Sequence, residues 1–289
     1  MIKVNNLIYK YPKNNSPTVK DISFSIKKGE VFGFLGPSGA GKSTTQKILI
    51  KLLSGYSGNI NISNKELIKA NNDYFNQIGV CFELPNHYLK LTAIENLQFF
   101  SEFYKTKHKN LADLLDLVGL AEDANVKVEN YSKGMKMRLN FIRSIMHNPE
   151  ILFLDEPTSG LDPVNARKIK DIIIDQKKAG KTIFITTHNM YDADELCDRV
   201  SFIIDGKLEI TDTPRNIKQL GGKRVIKVEY ENSGIQTAEF NIEGLADNHE
   251  FLNVLWENHI RSIHSKEATL DDIFIQVTGK KLINHESAY

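Results

Sequence analysis

The stretch Gly36-Pro37-Ser38-Gly39-Ala40-Gly41-Lys42-Ser43-Thr44 decides how the rest of this 289-residue sequence is interpreted. It fits the pattern G-x-x-x-x-G-K-[ST], in which a glycine-rich loop surrounds phosphate groups with backbone N–H donors. Lys42 places a compact positive charge on the β- and γ-phosphates, and the Ser43 hydroxyl is suited to Mg²⁺. Residues 31–35 predict a buried strand before the loop, and residues 43–53 predict a helix whose positive dipole end faces the phosphates. A nucleotide site is therefore predicted here.

Two acidic residues follow a second apolar run, at residues 151–154. This pattern predicts a central parallel strand that delivers Asp155 and Glu156 to its carboxyl end, where open α/β sheets bind ligands. We expect Asp155 to hold Mg²⁺ through water and Glu156 to polarise the attacking water. An acidic pair after an apolar run is common at loop starts, but behind a phosphate-binding loop it indicates a nucleotide-hydrolysing site.

Two further side chains have both a structural and a functional interpretation. The predicted strand at residues 182–186 ends just before His188, at the same sheet edge as Asp155. Histidines at strand ends are usually structural, yet this position favours a role at the nucleotide. Tyr11 opens the loop at residues 11–17, where its ring could stack on a purine or be an ordinary tyrosine at the end of a strand.

Helical periodicity dominates residues 92–147. We interpret its apolar stripes, which continue through an aromatic segment, as core; they comprise Leu97, Phe100, Phe103, Tyr104, Leu111, Leu114, Leu115 and Val118. Ser132 is a candidate N-cap for a basic helix over residues 136–146. The sequence thus predicts an α/β domain at residues 1–220, with a helical subdomain inserted at about residues 84–148.

The pattern changes after a hairpin signal at Asp205-Gly206. Gly221-Gly222 is interpreted as a linker, followed by two alternating strands and a helix around residues 251–256. Thr269 begins a last helix, with a capping box closed by Asp272, and the polar tail after Lys281 is expected to be loose. Residues 221–289 would form a small α+β accessory domain.

Composition excludes several classes of protein. The 37 Lys and Arg residues nearly balance the 36 Asp and Glu residues, so the chain lacks the basic field of a nucleic-acid binder. Cys81 and Cys197 are isolated in sequence, which predicts neither a disulfide nor a metal site and favours a reducing, cytosolic setting. Since no apolar run approaches the roughly 18 residues of a membrane span and the amino terminus lacks a signal peptide, we expect a soluble or peripherally bound chain.

These motifs and their order resemble the ATP-binding subunits of ABC transporters, over residues 2–280. The closest branch in pattern is that of drug, antibiotic and lantibiotic export. The resemblance implies a P-loop NTPase fold that hydrolyses ATP with Mg²⁺, with Glu156 and His188 as catalytic residues. It assigns Mg²⁺ contacts to Ser43, Glu83 and Asp155. It assigns ATP contacts to Tyr11, Gly36, Pro37, Ser38, Gly39, Ala40, Gly41, Lys42, Ser43, Thr44, Glu83, Ser132, Gly134 and Asp162.

Two segments depart from the general family pattern. Tyr131-Ser132-Lys133-Gly134-Met135 stands where the family has Leu-Ser-Gly-Gly-Gln, the signature loop that completes the ATP site of a second subunit in a head-to-tail dimer. Lys133 and Met135 differ from the consensus, while Ser132 and Gly134 keep it. Glu83 stands where the family has a glutamine that reaches Mg²⁺. Glu83 is therefore expected either to ligate Mg²⁺ or to contact a membrane subunit.

The resemblance implies an ATPase that dimerises on ATP, as a homodimer if both copies are this chain. Its other partner would be a separate transmembrane permease on the inner face of the cell membrane, through which a substrate is exported. A soluble ABC ATPase acting on ribosomes or DNA is the alternative, but such proteins resemble tandem cassettes or carry long coiled coils. A regulatory module without turnover is disfavoured because Glu156 and His188 are both present.

Overall fold

The fold is described from a computed structural model, for residues 1–105, 110–221 and 224–279. Contacts divide the described residues into two units, one up to Thr213 and one from Pro214. The expected linker residue Gly222 and the polar tail lie outside the described residues. Among those described, no helix is both long and apolar enough to cross a membrane.

The first unit contains an antiparallel sheet and a mostly parallel sheet. The antiparallel sheet has the order β2-β1-β4-β5, and the other has the order β10-β9-β3-β8-β7-β6, with β3, β6, β7 and β8 joined by parallel ladders. The strands are β1 (Ile2–Tyr9), β2 (Val19–Ile26), β3 (Val31–Leu35), β4 (Ser57–Ile62), β5 (Lys65–Glu66), β6 (Ile78–Cys81), β7 (Ile151–Asp155), β8 (Thr182–Thr187), β9 (Arg199–Ile204) and β10 (Lys207–Asp212).

This unit also contains helices, two of which, at residues 73–77 and 190–196, the sequence analysis does not predict. The helices are α1 (Lys42–Leu49), α2 (Asp73–Gln77), α3 (Ala93–Ser101), α4 (Leu111–Leu117), α5 (Lys133–Ile145), α6 (Pro163–Lys178) and α7 (Met190–Leu196). The predicted N-cap is present, since the Ser132 hydroxyl accepts a hydrogen bond from the Met135 amide and starts α5. The hairpin at Asp205-Gly206 is also present between β9 and β10, and both turn residues have positive φ.

An aromatic core fills the space between the two sheets. Phe24 of β2 lies 4.9 Å, centroid to centroid, from Phe34 of β3, and Phe34 lies 5.0 Å from Phe184 of β8. All three rings are buried. Burying aromatic side chains of this size is among the largest single contributions to a core. The core therefore packs against the sheet that contains both β3, which leads into the phosphate-binding loop, and β7, which leads into the acidic pair.

Close backbone approach brings α5 onto the edge strand β6. A Cβ atom at Gly79 would overlap the carbonyl oxygen of Ser144 on α5. At the end of α5, His147 Nε2 donates a hydrogen bond to the Ile78 carbonyl at 2.9 Å. The helix is therefore anchored to the sheet at its carboxyl end and begins, at its other end, with the signature loop.

The interpretation of the helical stripes as core is wrong for Phe103. Leu97, Leu114, Leu115 and Val118 are buried, but 67% of Phe103 is exposed. Its backbone lies in the turn after α3, which ends at Ser101, so the helical period no longer directs it inward. Phe103 is part of an exposed patch that also contains Tyr88 and Phe99, here called the aromatic surface.

The second unit is an α+β module. It contains α8 (Pro214–Gln219), β11 (Val225–Glu231), β12 (Ile235–Asn241), α9 (His249–Glu257), β13 (His259–Lys266) and α10 (Leu270–Thr278), with strand order β12-β11-β13. The capping box of Thr269 and Asp272 is present at the start of α10. Strand β13 is missing from the sequence interpretation. Gly221 packs closely on Ala268 and Ile273, so this residue is part of the module.

Candidate functional site

The phosphate-binding loop joins β3 to α1, as predicted. Gly41, which precedes α1, has a φ of 108°, a conformation that residues with a Cβ rarely adopt. The Lys42 ammonium donates to the carbonyls of Gly36 at 2.6 Å and Pro37 at 3.1 Å, which holds it inside the loop. Burial lowers the pKa of Lys42, and the nearby carboxylates of Glu156 and Asp155 oppose that shift. The loop thus carries a desolvated cation that faces acidic groups.

Asp155 ends β7 beside the start of α1. Its Oδ1 accepts hydrogen bonds from the hydroxyl of Thr186 and, at 3.4 Å, from the hydroxyl of Ser43. Burial raises the pKa of Asp155, whereas the two hydroxyl donors lower it. Ser43 and Asp155 therefore present adjacent oxygen atoms at the mouth of the loop.

Glu156 is held by three donors from the end of β8. Oε2 accepts from the Thr187 hydroxyl at 2.9 Å, and Oε1 accepts from the backbone N–H of His188 at 2.9 Å. His188 Nδ1 is 2.8 Å from the same Oε1. Only 6% of Glu156 is exposed, and its φ of 47° is left-handed, a strained conformation for a residue with a side chain. Both the side chain and the backbone of Glu156 are thus positioned by their surroundings.

His188 lies beside Glu156 at the carboxyl edge of the sheet, as the sequence predicts. The hydrogen bond to Glu156 raises the pKa of His188 above its ordinary value of 6.5, although partial burial opposes this. The imidazole is 43% exposed, so it is open to a ligand on one side while the carboxylate holds the other.

Glu83 belongs to the same electrostatic cluster. It follows β6, and its carboxylate interacts with Asp155, Glu156 and Lys42. Partial withdrawal from water and the two neighbouring carboxylates raise the pKa of Glu83. Glu83 therefore lies within electrostatic range of Asp155, Glu156 and Lys42.

Tyr11 lies against the helix that leaves the loop. Its hydroxyl is 3.3 Å from Thr44 Oγ1, and its ring meets that of Tyr9 edge to face at 5.0 Å between centroids. The side chain is half-buried. One edge of the aromatic ring is thus fixed next to the loop.

The signature residues and Asp162 form a separate group. Ser132 is exposed at the start of α5, and the nearest groups to a Cβ at Gly134 would be the Leu161 side chain and the Gly160 carbonyl. Asp162 caps α6 by accepting from the amides of Val164 and Asn165. The hydrogen bond from the Asn165 side chain, assisted by these amides, lowers the pKa of Asp162. These residues form one outward-facing surface, and their hydrogen bonds are local.

Two residues of the site were missed by sequence reasoning, namely Thr186 and Thr187. Their hydroxyls hold the carboxylates of Asp155 and Glu156. Threonine is an ordinary residue in a buried strand, so the pair carries no signal of its own. The available signal is their position, since both are polar residues that directly follow the apolar run Ile183-Phe184-Ile185 at the carboxyl end of a buried strand.

The oxygen atoms fit a metal that is bound mainly through phosphate. In the described part of the chain, no group of three or more His, Cys, Asp or Glu side chains could hold an ion. Ser43 and Asp155 offer one hydroxyl and one carboxylate side by side. Mg²⁺ in nucleotide sites is usually held by one or two such groups, the phosphates and water. The donor set therefore suits Mg²⁺ that arrives with a nucleotide.

Comparison with known proteins identifies the class. Residues 19–159 match a family model described as ABC transporter, and residues 224–267 match one described as fluoroquinolone efflux ABC transporter C-terminal domain. The fluoroquinolones export ATP-binding protein of Mycobacterium tuberculosis is 54% identical over 98% of this chain and 94% of its own length. The linearmycin resistance ATP-binding protein LnrL of Bacillus subtilis is 34% identical over 98% of this chain and 99% of its own.

Solved structures agree with this classification. An ATP-binding subunit of an ABC transporter matches with a TM-score of 0.69 and 26% identity, over 76% of this chain and 92% of that one. An ATP-binding cassette in a dimeric post-hydrolysis state with ADP and Pi matches with a TM-score of 0.67 and 27% identity, over 74% and 98%. This chain belongs to the ATP-binding subunits of ABC transporters, and it is an ABC ATPase.

Proposed function

We propose that this chain hydrolyses ATP to drive the export of fluoroquinolone-type drugs through a separate permease. The observation that carries the proposal is the cluster in which Glu156, held by Thr187 and His188, lies near the buried ammonium of Lys42. The drug class rests on the 54% identity to a fluoroquinolones export protein and on the matching C-terminal family model.

In this mechanism Lys42 and the loop amides bind the β- and γ-phosphates, and Tyr11 stacks on adenine. Glu156 orients the attacking water, and His188 donates a hydrogen bond to the γ-phosphate. The strained backbone of Glu156 and its three donors limit the positions of the carboxylate, so little reorganisation is needed. Ser43 and Asp155 would hold Mg²⁺, which would neutralise charge on the phosphates, and Glu83 would also contact it.

The active form would be a head-to-tail homodimer. Ser132 and Gly134 lie at the exposed start of α5, beside residues 160–161 of the turn that leads to Asp162. The amide groups of that helix end are suited to a phosphate presented by a second subunit. A dimeric arrangement in a solved relative supports this assembly.

The permease would dock on the aromatic surface, and the chain would lie on the inner face of the cell membrane. Tyr88 and Phe99 are in edge-to-face contact at 4.7 Å, and Phe99 is 5.4 Å from Phe103, so the exposed rings form a continuous patch. Apolar patches with aromatic side chains are typical centres of protein interfaces. Glu83 lies five residues before Tyr88 of this patch in the sequence, so residues 83–88 would link the surface to the ATP site.

The test is drug accumulation in cells of the native bacterium. Norfloxacin, followed by its own fluorescence, should accumulate when the gene is deleted. Wild-type protein and Glu150→Gln should restore efflux, whereas Glu156→Gln should not. Glu150 is a matched control because it is exposed at the opposite end of β7. Unchanged norfloxacin levels, with sensitivity to bacitracin or linearmycin instead, would overturn the drug class but leave the ATPase assignment.

A further inference from the structure

The segment that carries Glu83 is held by helix α5 at two points. Asn140 Nδ2 donates to the carbonyl of Phe82 at 2.7 Å, and Arg143 Nη1 donates to the carbonyl of Asn86 at 2.6 Å. These carbonyls flank residues 83–85. Strand β6 ends at Cys81, so this short segment has left the sheet and follows α5 instead.

Arg143 is also hydrogen-bonded to Asn140, the other residue that holds this segment. Its Nη2 donates to Oδ1 of Asn140 at 2.7 Å, so both side chains act as one clamp. Only 9% of Arg143 is exposed, and burial lowers the pKa of its guanidinium. A buried cation in such surroundings is often less favourable for stability than an apolar side chain of similar volume. Arg143 is therefore kept in its buried position by its hydrogen bonds to Asn86 and Asn140 and by its contact with the Phe100 ring.

Arg143 also contacts the layer beneath the aromatic surface. Its guanidinium carbon lies 4.5 Å from the centroid of the Phe100 ring. Phe100 in turn lies 5.6 Å from Phe99 and 5.8 Å from Tyr88, centroid to centroid. One side chain thus joins the exposed rings, the backbone next to Glu83 and the helix that begins at the signature loop.

We propose that Arg143 is a positioning residue that couples the Glu83 segment and the aromatic surface to Ser132 at the start of α5. Ser132 lies roughly 16 Å along the helix from Arg143, at 1.5 Å per residue. Through the clamp, a displacement of residues 83–86 or of the aromatic surface moves the signature loop with it. The inference deepens the proposed function, because the dimer and the permease contact give this coupling its use.

The experiment uses the full chain and a matched arginine. Arg138 is on the same helix and also donates to backbone carbonyls, those of Val118 and Gly119 after α4. It therefore controls for the loss of a buried or half-buried arginine without touching residues 82–86. The variants are Arg143→Met, which keeps volume but removes both donors, Arg143→Lys, which keeps the charge, and Arg138→Met.

The first readout is amide hydrogen exchange, at a protein concentration where light scattering shows monomers. In the wild type and in Arg138→Met, ATPγS with Mg²⁺ should slow exchange at the phosphate-binding loop, at residues 83–92 and at residues 132–136. In Arg143→Met the loop should still be protected, while the response at residues 132–136 is lost. Arg143→Lys should retain part of that response.

The second readout is the dependence of ATPase rate on ATP concentration. A coupled dimer should show a Hill coefficient approaching 2, and Arg143→Met should reduce it toward about 1. The maximal rate should fall about tenfold or more, since small misplacements away from the chemistry are costly. The affinity of the monomer for ATP should stay within about twofold, because the loop of Lys42 is not changed.

The outcomes separate this inference from the proposed function. The role of Arg143 is overturned if ATPγS slows exchange at residues 132–136 in Arg143→Met as much as in the wild type. It is also overturned if the wild type shows no response at these residues. Loss of protection at the phosphate-binding loop as well would show a merely structural role and overturn it too. Failure of norfloxacin export changes none of these measurements, so it counts only against the proposed transport.

Discussion

His188 Nδ1 lies 2.8 Å from Oε1 of Glu156, and the backbone N–H of His188 donates to the same oxygen. One residue thus contacts the carboxylate both through its side chain and through its main chain. With the Thr187 hydroxyl on the other oxygen, every donor to this carboxylate that the described hydrogen bonds show comes from two consecutive residues. A short segment after β8 therefore controls where Glu156 points.

Glu156→Gln should abolish turnover while leaving ATP binding. The amide keeps the shape but cannot polarise water as a carboxylate does, so we expect a loss of about 100-fold or more. ATP should then trap the dimer, which size-exclusion chromatography with and without ATP would detect. Glu150→Gln, at the residue that precedes β7, is the control. Wild-type hydrolysis in Glu156→Gln would remove this residue from the mechanism.

Lys42→Ala should weaken ATP binding itself. The change deletes a buried ammonium whose hydrogen bonds to charged oxygens are worth about 1.5–3 kcal/mol, which corresponds to roughly a 10- to 150-fold loss of affinity. Titration with a fluorescent ATP analogue measures it. Lys47→Ala, on the exposed side of the same helix, should bind like the wild type. Equal affinities for the two variants would contradict the assignment of the loop.

Glu156→Gln should also lower the pKa of His188. The hydrogen bond to Glu156 is the main cause that raises this pKa above 6.5, so its replacement by a neutral acceptor removes the reason for the shift. NMR titration of the imidazole protons reports it directly. If the pKa of His188 does not move, the pair is not formed in solution.

The same pair predicts how stability depends on pH. Because the pKa of His188 is raised on folding, its contribution is complete below pH 6.5 and is lost as pH rises through the folded value. Since His188 is 43% exposed, we expect less than about 1 kcal/mol. Urea unfolding of the wild type and of His188→Gln should therefore differ more at pH 6 than at pH 8.5. The opposite order would contradict the ion pair.

Glu83→Gln should change the requirement for Mg²⁺. A carboxylate binds this hard cation more strongly than an amide does, and without the metal it repels the phosphates. The isolated variant should therefore need more Mg²⁺ for half-maximal ATPase rate, whereas Glu102→Gln, after α3, should not. Superimposable Mg²⁺ curves, with a defect only in the assembled transporter, would assign Glu83 to the permease contact.

Removing the second unit should leave a folded ATPase. The motifs all precede Thr213, after which the contacts divide the chain. A chain ending at Thr213 should bind ATP and unfold in one transition. A chain ending at Gly221 should bind ATP equally but aggregate more readily, because α8 then loses its contact with α10 and exposes Ile217. If the chain ending at Thr213 is unfolded, the division into two units after this residue is contradicted.

The sequence predicts the strands and loops whose chemistry depends on residue type. Gly36 to Thr44 can be interpreted alone, because few other residues meet the backbone and charge demands of a phosphate loop. Thr187 could not be found in this way, since its function depends on a contact with Glu156, 31 residues away. The left-handed backbone of Glu156 leaves no trace in composition, since the strain is imposed by the surrounding fold.

The sequence pattern also fails to predict the structure where a helix ends and where a strand is largely polar. Phe103 continues the spacing of α3, but the helix ends two residues earlier, so the ring is exposed. Strand β13 carries two histidines, an arginine and a lysine, and therefore lacks the apolar alternation that predicts strands. The strand forms because it pairs with β11, which its own sequence does not indicate.

Gly79 sets the distance between α5 and the sheet, because any side chain there would meet the Ser144 carbonyl. Alanine at this position would push the helix outward, and the displacement would be carried to Ser132 at its far end. Position 79 should therefore tolerate substitution as poorly as the phosphate-binding lysine in a saturation mutagenesis screen for drug resistance. A residue with no functional group would then be among the most constrained in the protein, because only a residue without a Cβ atom allows α5 to pack this closely on the sheet.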